Sequence, residues 1–458
     1  INHSLKVLVS ASFIVFITTI FSKILTYLYR IVIARHYSPE IYGTYSISLM
    51  VIGWVTVFVG VGFSGGLSRY IPYYRGKKEE HKSSYLLKKT TSFLLFSGIF
   101  GCFIVILLSG FIANNIFHIP ELREFLIIFS FAIPFTVLAG VYFSVLKSYE
   151  KIGWFAFIVN VLQNSVKLLI LAALIFFGFS SKSIAVSYVA GIAIALIVSY
   201  IIVKKKIPRL FENKKIDERG IMKQMFSYSW PLIFFGVISS ILSWTDTFMI
   251  GVMRTTAEVG FYNAAVPIAL IITLSTDLFR QMLLPIITKE YGRGNMAAVR
   301  EISRQVTKWL FIVSIPLFTA LFIFPQEAIR LLFGVEYLPA SNALRILTIG
   351  FFISSVLDVS PDILSMKGMS KLILIDTLII ALANVIMNYL LIPKYGISGA
   401  AFSTMISISI LSILFTYQAW NKTGILIVKK DILKLVLAGA ISFGLTWIMS
   451  VYIGGIRG

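Results

Sequence analysis

Cysteine, histidine and acidic residues are scarce in this chain of 458 residues. Cys102 is the single cysteine, so no disulfide can form within the chain. The four histidines lie in separate loops or tails without the spacing of metal ligands, and we therefore expect no metal site. Charged residues of both signs make up only 13% of the chain, which is too few for an ordinary soluble domain.

Long apolar runs are abundant instead. Apolar residues make up 58% of the sequence, and the mean hydropathy is +0.89. Segments long enough to cross a bilayer recur thirteen times. Their predicted limits are 10–34, 45–67, 86–110, 125–146, 153–178, 183–203, 226–251, 262–287, 306–324, 342–365, 372–392, 397–419 and 432–453. The composition therefore predicts an all-α polytopic membrane protein.

The chain carries a net charge of +21, and the positions of its basic residues account for this excess. If the N-terminus is cytoplasmic, the inner loops hold 29 of the 41 Lys and Arg residues and the outer loops hold 7. Such a bias is the positive-inside rule of membrane proteins. We therefore predict a multi-pass protein of the cell membrane with a cytoplasmic N-terminus. The basic excess does not indicate binding to nucleic acid.

A basic segment separates the first six predicted spans from the next six. It covers residues 204–225, and we interpret it as a cytoplasmic linker between an N-terminal lobe, 1–203, and a C-terminal lobe, 226–420. Residues 421–458 hold one further span, which leaves the C-terminus outside. We expect that this end is truncated and lacks a fourteenth span.

Short similarities between the two groups of spans indicate an internal duplication. Asn160 and Asn164 in the fifth span recur as Asn384 and Asn388 in the eleventh, and similar offsets relate other residues. Because each copy has an even number of spans, both copies run in the same sense through the membrane. We therefore predict two pseudo-symmetric six-helix lobes, plus at least one extra C-terminal helix, around a central binding site.

Short outer loops weigh against a membrane enzyme. A glycosyltransferase or ligase would be expected to display acidic or basic catalytic groups on sizeable outer loops. No loop here much exceeds about twenty residues. We predict a protein that is not an enzyme and has neither catalytic residues nor a cofactor.

The first span has a polar face in spite of its apolar composition. Lys23 lies near its middle, and Arg30 follows on the same helical face. A charge at the centre of a membrane helix costs about 2.5–3.5 kcal/mol on insertion scales, so Lys23 should face protein or a water-filled cavity. Lys23 is therefore a candidate anion-binding residue. The alternative is that Lys23 pairs with an acid on a neighbouring helix.

Four other spans also carry polar residues on one face. These residues are Asn160, Asn164 and Lys167 in the fifth span, Asp246 in the seventh, Asp277 and Arg280 in the eighth, and Asn384 and Asn388 in the eleventh. We predict that Lys23 and Lys167 form an anion site and that the asparagines line the cavity. Asp246 and Asp277 are candidates for binding a coupling proton or cation.

Most of these residues also have a structural interpretation. Asp277 and Arg280 lie three positions apart on one helix and can neutralise each other. Asn384 and Asn388 can join helices through hydrogen bonds. Arg30 can extend to the membrane surface, and Asp246 can pair with Lys23.

Longer motifs resemble those of one superfamily. They are PEIYGTY at 39–45, DTFMIG at 246–251 with GFY at 260–262, FGVEYLPA at 333–340 and NVIMNYLLIPKYGISGAA at 384–401. The chain resembles the polysaccharide-biosynthesis flippases of the multidrug/oligosaccharidyl-lipid/polysaccharide exporter superfamily, which include the O-antigen flippases. The similarity covers essentially the whole chain, and the motifs identify the superfamily better than the substrate.

This resemblance implies two six-helix lobes around a V-shaped central cavity. Alternating access would move a polyprenyl-(pyro)phosphate-linked oligosaccharide from the cytoplasmic to the outer leaflet. In such flippases, cations on the first and eighth spans meet the lipid phosphate, which implies that Lys23 and Arg280 bind the substrate. From their own positions in the spans, we predict that Arg30 and Lys167 bind the same phosphate. The implied partners are this substrate, membrane lipids and glycan synthesis enzymes, with coupling to H⁺ or Na⁺.

Two other functions stay open on the sequence alone. A multidrug or organic-cation antiporter of the same superfamily would need acids to dominate its cavity, and Asp246, Asp277, Asp358 and Asp376 are available for that role. A membrane glycan polymerase or ligase is the second alternative, which the short outer loops disfavour.

Overall fold

The described part of the chain folds into helices that belong to two compact units. The computed structural model describes the backbone of residues 2–211, 219–427 and 443–444, and most of the side chains in these ranges from residue 15 onward. The described backbone contains helices and short connections but no β-strand. The units are Ile1–Val252 and Met253–Gly458. The predicted all-α polytopic fold is thereby confirmed.

Ten α-helices form the described part of the first unit. They are α1 (Asn2–His36), α2 (Pro39–Gly60), α3 (Phe63–Gly76), α4 (Glu80–Phe111), α5 (Leu122–Ser130), α6 (Ala132–Ser148), α7 (Ile152–Ala156), α8 (Gln163–Phe176), α9 (Ser183–Lys206) and α10 (Arg219–Met253). The π-helical segment Ile112–Ile116 extends α4, and a second one, Phe157–Leu162, joins α7 to α8.

The second predicted span begins and ends earlier than expected. Pro39 is the first residue of α2, a position where its missing N–H is not needed, so the predicted loop 35–44 shrinks to Tyr37 and Ser38. α2 ends at Gly60 because Val61 and Gly62 have positive φ angles of 49° and 64°. A Cβ on Gly62 would lie 2.5 Å from a backbone carbonyl of α10, so only glycine fits there.

Seven α-helices form the described part of the second unit. They are α11 (Thr256–Ala269), α12 (Leu274–Gly292), α13 (Met296–Ile323), α14 (Pro325–Leu332), α15 (Ser341–Leu357), α16 (Val359–Met366) and α17 (Ser370–Thr423). The two residues Arg254 and Thr255 connect α10 to α11, and the Thr255 hydroxyl caps α11 by accepting from the Glu258 amide. A 3₁₀ segment, Leu270–Thr273, joins α11 to α12.

The eleventh and twelfth predicted spans lie in one helical run, α17, of 54 residues. Gly396 interrupts it with a φ angle of 56° and a ψ angle of −137°, a conformation that favours glycine. A Cβ at this position would lie 2.7 Å from Oε2 of Glu258. The predicted loop at 393–396 is therefore a break of one residue within a helix.

Helices in the described ranges account for the first twelve predicted spans. Eleven of them are long and apolar enough to cross a membrane, with α17 counted once. The thirteenth predicted span, 432–453, lies outside the described residues except for Phe443 and Gly444. The boundary between the compact units falls after Val252, so α10 packs within the first unit. The predicted duplication, with its division at 204–225, stays a prediction.

Candidate functional site

Two cations come together within the first unit. Arg30 belongs to α1 and Lys167 to α8, and both are partly buried within segments long and apolar enough to cross a membrane. They lie close enough for the charge of Arg30 to act on Lys167. Both residues were predicted to bind the anionic substrate, and the structure brings these two into one place.

The aliphatic stem of Lys167 packs against α9 at Gly191. A Cβ added to Gly191 would lie 2.3 Å from Cγ of Lys167, so any other residue would displace the lysine. The Lys167 ammonium lies 5.1 Å from the ring centroid of Tyr188 and 5.9 Å from that of Tyr29. Such cation–π contacts hold an ammonium without neutralising its charge.

Tyrosines also surround Arg30. Its guanidinium donates a hydrogen bond to the hydroxyl of Tyr42, and Tyr27 and Tyr45 lie within electrostatic range. Among the side chains that the structure describes, no Asp or Glu pairs with Arg30 or Lys167. Within the part of the chain that the structure describes, the site therefore holds two positive charges without a carboxylate, in surroundings where an uncompensated charge is costly.

Tyr29 fastens this site to α9. Its hydroxyl donates to the Ile184 carbonyl at 3.0 Å and lies 3.0 Å from Oγ of Ser187, with which it shares a hydrogen bond. A row of aromatic side chains, which we call the aromatic wall, runs along one side of the site. Its ring contacts are Tyr29 to Tyr45, Tyr45 to Phe129 and Phe129 to Tyr188, with centroid distances of 6.2, 6.1 and 5.2 Å. Because neighbouring rings fix one another, the wall keeps its shape around the two cations.

This arrangement suits an anionic group. A phosphate accepts charge-assisted hydrogen bonds from a guanidinium and an ammonium, and further bonds from hydroxyl groups. An anion between Arg30 and Lys167 would also replace their mutual repulsion with two attractions. An organic cation or metal ion would be repelled by both. Within the described residues, no three His, Cys, Asp or Glu side chains are grouped to hold a metal ion.

Two amide hydrogen bonds fasten α1 to the fifth predicted span. Nδ2 of Asn160 donates to Oγ1 of Thr18 at 3.2 Å, and Nδ2 of Asn164 donates to Oγ of Ser22 at 2.9 Å. Asn160 lies in the π-helical segment Phe157–Leu162, a rare conformation that is frequent at functional sites. These asparagines thus join helices, and their predicted contact with a substrate stays a prediction.

Lys23 lies two turns before Arg30 on the same face of α1, which is a separation of about 10 Å along the helix. Its side chain is partly buried. Asp246 is partly buried on α10, between the buried residues Thr245 and Thr247. The predicted roles of Lys23 in anion binding and of Asp246 in ion coupling stay predictions.

The remaining candidates lie in the second unit. Nδ2 of Asn388 donates to Oδ1 of Asn384 at 3.1 Å, and Asn388 is fully buried. Asp277 and Arg280 belong to α12, but their side chains lie outside the described residues. The roles predicted for these four residues stay predictions.

The tyrosines around the two cations were not predicted from the sequence. Aromatic residues in an apolar span are expected to face lipid or the core, so Tyr29, Tyr42, Tyr45 and Tyr188 carried no separate signal. One sequence feature could have indicated part of this site. Tyr188 and Gly191 lie three positions apart in α9 and therefore share a helical face, with an aromatic ring beside a position that leaves room for a neighbouring side chain.

Comparisons with known sequences agree with the motifs described above. The model of the family described as "Polysaccharide biosynthesis protein" matches residues 8–291, and the MatE model matches residues 231–390. A candidate O-antigen transporter of Shigella flexneri is 24% identical over 405 residues, which cover 84% of this chain and 91% of that protein.

Two solved structures share the fold. The inward closed conformation of the lipid II flippase MurJ has a TM-score of 0.75 at 18% identity, covering 96% of both chains. An inward-facing multidrug resistance MATE family transporter of the MOP superfamily has a TM-score of 0.73 at 14% identity, covering 88% of this chain and 95% of that one. At these identities the likeness establishes the fold.

Proposed function

Because this chain belongs to the polysaccharide biosynthesis protein family, we propose that it is a flippase for a lipid-linked oligosaccharide. It would move a polyprenyl-phosphate or polyprenyl-pyrophosphate sugar from the cytoplasmic to the outer leaflet by alternating access, for the synthesis of a cell-surface glycan. The similar proteins are named as transporters and flippases, which supports a transport function without catalysis. Enzymes that make or use the glycan would be its partners.

The observation that carries this proposal is the pair formed by Arg30 and Lys167. A lipid phosphate that crosses a membrane needs cationic partners inside the membrane, whereas its apolar tail can remain in lipid. The pair has two positive charges without a carboxylate among the described side chains. We assign the phosphate to these two residues, and we assign Lys23 and Arg280 to further contacts along its path.

The direction and energy source of transport belong to the same proposal. The excess of Lys and Arg in alternate loops supports a cytoplasmic N-terminus. Asp246 and Asp277 are the proposed sites for a coupling H⁺ or Na⁺, because ionisable groups within membrane helices mark ion pathways. The flippase would need no other cofactor.

The test is a flipping assay with purified protein in lipid vesicles that contain a fluorescent polyprenyl-phosphate oligosaccharide. We expect Arg30→Gln and Lys167→Gln each to lower the initial rate about tenfold or more, because each removes a charge-assisted bond to phosphate. Arg30→Lys should retain more activity than Arg30→Gln because it keeps the charge. Arg123→Gln, which removes an exposed cation at the start of α5, is the matched control. Unchanged rates in both glutamine variants, with unchanged melting temperatures, would rule out this phosphate site.

An organic-cation antiporter is the second candidate. The MatE match over residues 231–390 and the fold shared with a MATE transporter favour it. The charges of Arg30 and Lys167 oppose it, since both repel a cationic substrate. Vesicles loaded with ethidium would decide between the two functions. Efflux that is abolished by Asp246→Asn and unchanged by Lys167→Gln would identify an antiporter.

A further inference from the structure

One end of the first unit has a strong excess of positive charge. This basic end comprises residues 69–89, 147–151 and 204–209 and Lys223, which together include fourteen Lys and Arg residues but only three Glu. Ion pairs at this end join Arg75 to Glu150 at 3.3 Å, Lys82 to Glu79 at 3.2 Å and Arg209 to Glu80 at 3.8 Å. Three carboxylates cannot neutralise fourteen cations, so the basic end attracts anions.

Aromatic rings contact many of these cations. The Arg69 guanidinium lies 4.2 Å from the ring centroid of Tyr228 and 5.5 Å from that of Tyr70, and the Lys77 ammonium lies 4.7 Å from that of Tyr73. Similar contacts join Arg75 to Tyr149, Lys82 to Tyr74, Lys89 to Tyr85, Lys147 to Phe155 and Lys204 to Tyr200. A ring orients a cation and leaves its charge available to a ligand, whereas a carboxylate would neutralise it.

One cation of α3, Arg69, lies on the exposed face of the helix. The opposite face of α3 buries Phe63, Leu67 and Ile71 within the unit. Arg69 is exposed, and Tyr73 is 51% exposed. A hydrogen bond to the Tyr73 hydroxyl raises the pKa of Lys77, which follows directly after α3. Because the apolar face of α3 packs against the protein, its exposed cation and exposed aromatic ring are accessible to an anionic headgroup.

Two contacts connect this face to α10. The ring of Tyr228 supports Arg69, and the Tyr70 hydroxyl donates to the Gln224 carbonyl at 3.4 Å. In addition, a Cβ added to Gly66 would lie 2.4 Å from Oγ of Ser229, so α3 and α10 approach closely. A ligand held by α3 would therefore also stabilise the start of α10.

We propose that Arg69, Tyr73 and Lys77 form a binding surface for the phosphate headgroups of anionic phospholipids in the leaflet next to the basic end. Arg69 and Lys77 provide the charge, and the exposed ring of Tyr73 lies at the level of the headgroups. Charge complementarity selects this occupant, because a zwitterionic headgroup offers no net charge to the basic end. Tyr228 is a positioning residue, since it orients Arg69.

Native mass spectrometry of the full chain tests this surface. The purified protein is mixed with equal amounts of phosphatidylglycerol and phosphatidylcholine in detergent. We expect about fivefold greater retention of phosphatidylglycerol by the wild type, and a fall of about threefold or more in the double variant Arg69→Gln/Lys77→Gln. Tyr228→Leu should lower retention, whereas Tyr228→Phe, which keeps the ring, should not. Arg123→Gln, remote from the basic end, should bind as the wild type does.

Three results would overturn the proposal. The first is equal retention of both lipids by the wild type, and the second is an equal loss of retention in Arg123→Gln and in the double variant. The third is that polyprenyl phosphate displaces phosphatidylglycerol from the wild type but not from the double variant. The last result would assign the surface to the transported lipid instead. Because the measurement involves no transport, its outcome is independent of the flipping assay, and the two proposals can fail separately.

Discussion

At Gly191, the stem of Lys167 occupies the space where any other residue would place its Cβ, because that Cβ would lie 2.3 Å from Cγ of the lysine. Gly191 therefore positions Lys167 between the rings of Tyr188 and Tyr29. The contact separates two effects that substitution of Lys167 itself would combine, namely loss of the charge and loss of its position.

We expect Gly191→Ala to lower the flipping rate at least about fivefold, since the displaced ammonium would no longer share an anion with Arg30. The charge is retained, so a wild-type rate would show that its position is unimportant. Gly53→Ala is the matched control, because Gly53 is also a glycine of a membrane span but has no atom within 4 Å of an added Cβ. Melting temperatures of both variants would show whether folding is affected.

At the residue scale, the sequence allowed the cations to be predicted but not their surroundings. Arg30 and Lys167 were evident because a charge within an apolar span is exceptional. The tyrosines were not, because the helical period does not tell which span packs on which. The contact between Lys167 and α9 depends on helices whose pairing the hydropathy pattern leaves open.

At the element scale, the hydropathy pattern predicted where helices cross the membrane but not where they begin and end. A hydropathy window detects apolar residues, whereas the helices continue into polar sequence, as α4 does from Glu80. The π-helical segment Phe157–Leu162 was also missed, because no residue type specifies it. The break between α2 and α3 was hidden because Val61, an unusual residue for a positive φ, lies beside Gly62.

Gly396 allows a sharp test at this scale. We expect Gly396→Ala to destabilise the protein by about 1–3 kcal/mol through the positive φ, and further through the clash with Glu258. Gly368→Ala is the matched control, since Gly368 has a φ angle of 78° but no atom within 4 Å of an added Cβ. Thermal unfolding in detergent should show the larger decrease for Gly396→Ala. Equal decreases would show that the particular conformation of Gly396 and its contact with Glu258 add nothing beyond the cost of a positive φ.

At the scale of the whole molecule, the charge distribution predicted a topology and the motifs predicted the family. The fold shared with MurJ confirms the all-α architecture, and the family match confirms the family. The predicted orientation in the membrane stays a prediction. The first compact unit extends to Val252, because α10 packs with it through specific contacts such as Trp54 Nε1 to the Ser240 carbonyl at 3.3 Å. The lobe division at 204–225 stays a prediction. Composition shifts mark loops and carry no information about such packing.

The single cysteine makes the topology testable. Cys102 is buried beside Ser130, with 3.3 Å between Sγ and Oγ, so Cys102→Ser should provide a folded background without a thiol. In this background, we expect a membrane-impermeant maleimide to label Lys182→Cys in intact cells and Lys78→Cys only after permeabilisation. The opposite pattern would invert the proposed orientation.

The two-residue connections Tyr37–Ser38 and Arg254–Thr255 have a consequence for how such a protein meets its surroundings. In the proposed orientation both face the exterior, where antibodies, phages and proteases of competing organisms act. Connections this short present almost no surface for an antibody and no extended segment that could enter the active site of a protease. These two connections would therefore be poor targets for antibodies and proteases.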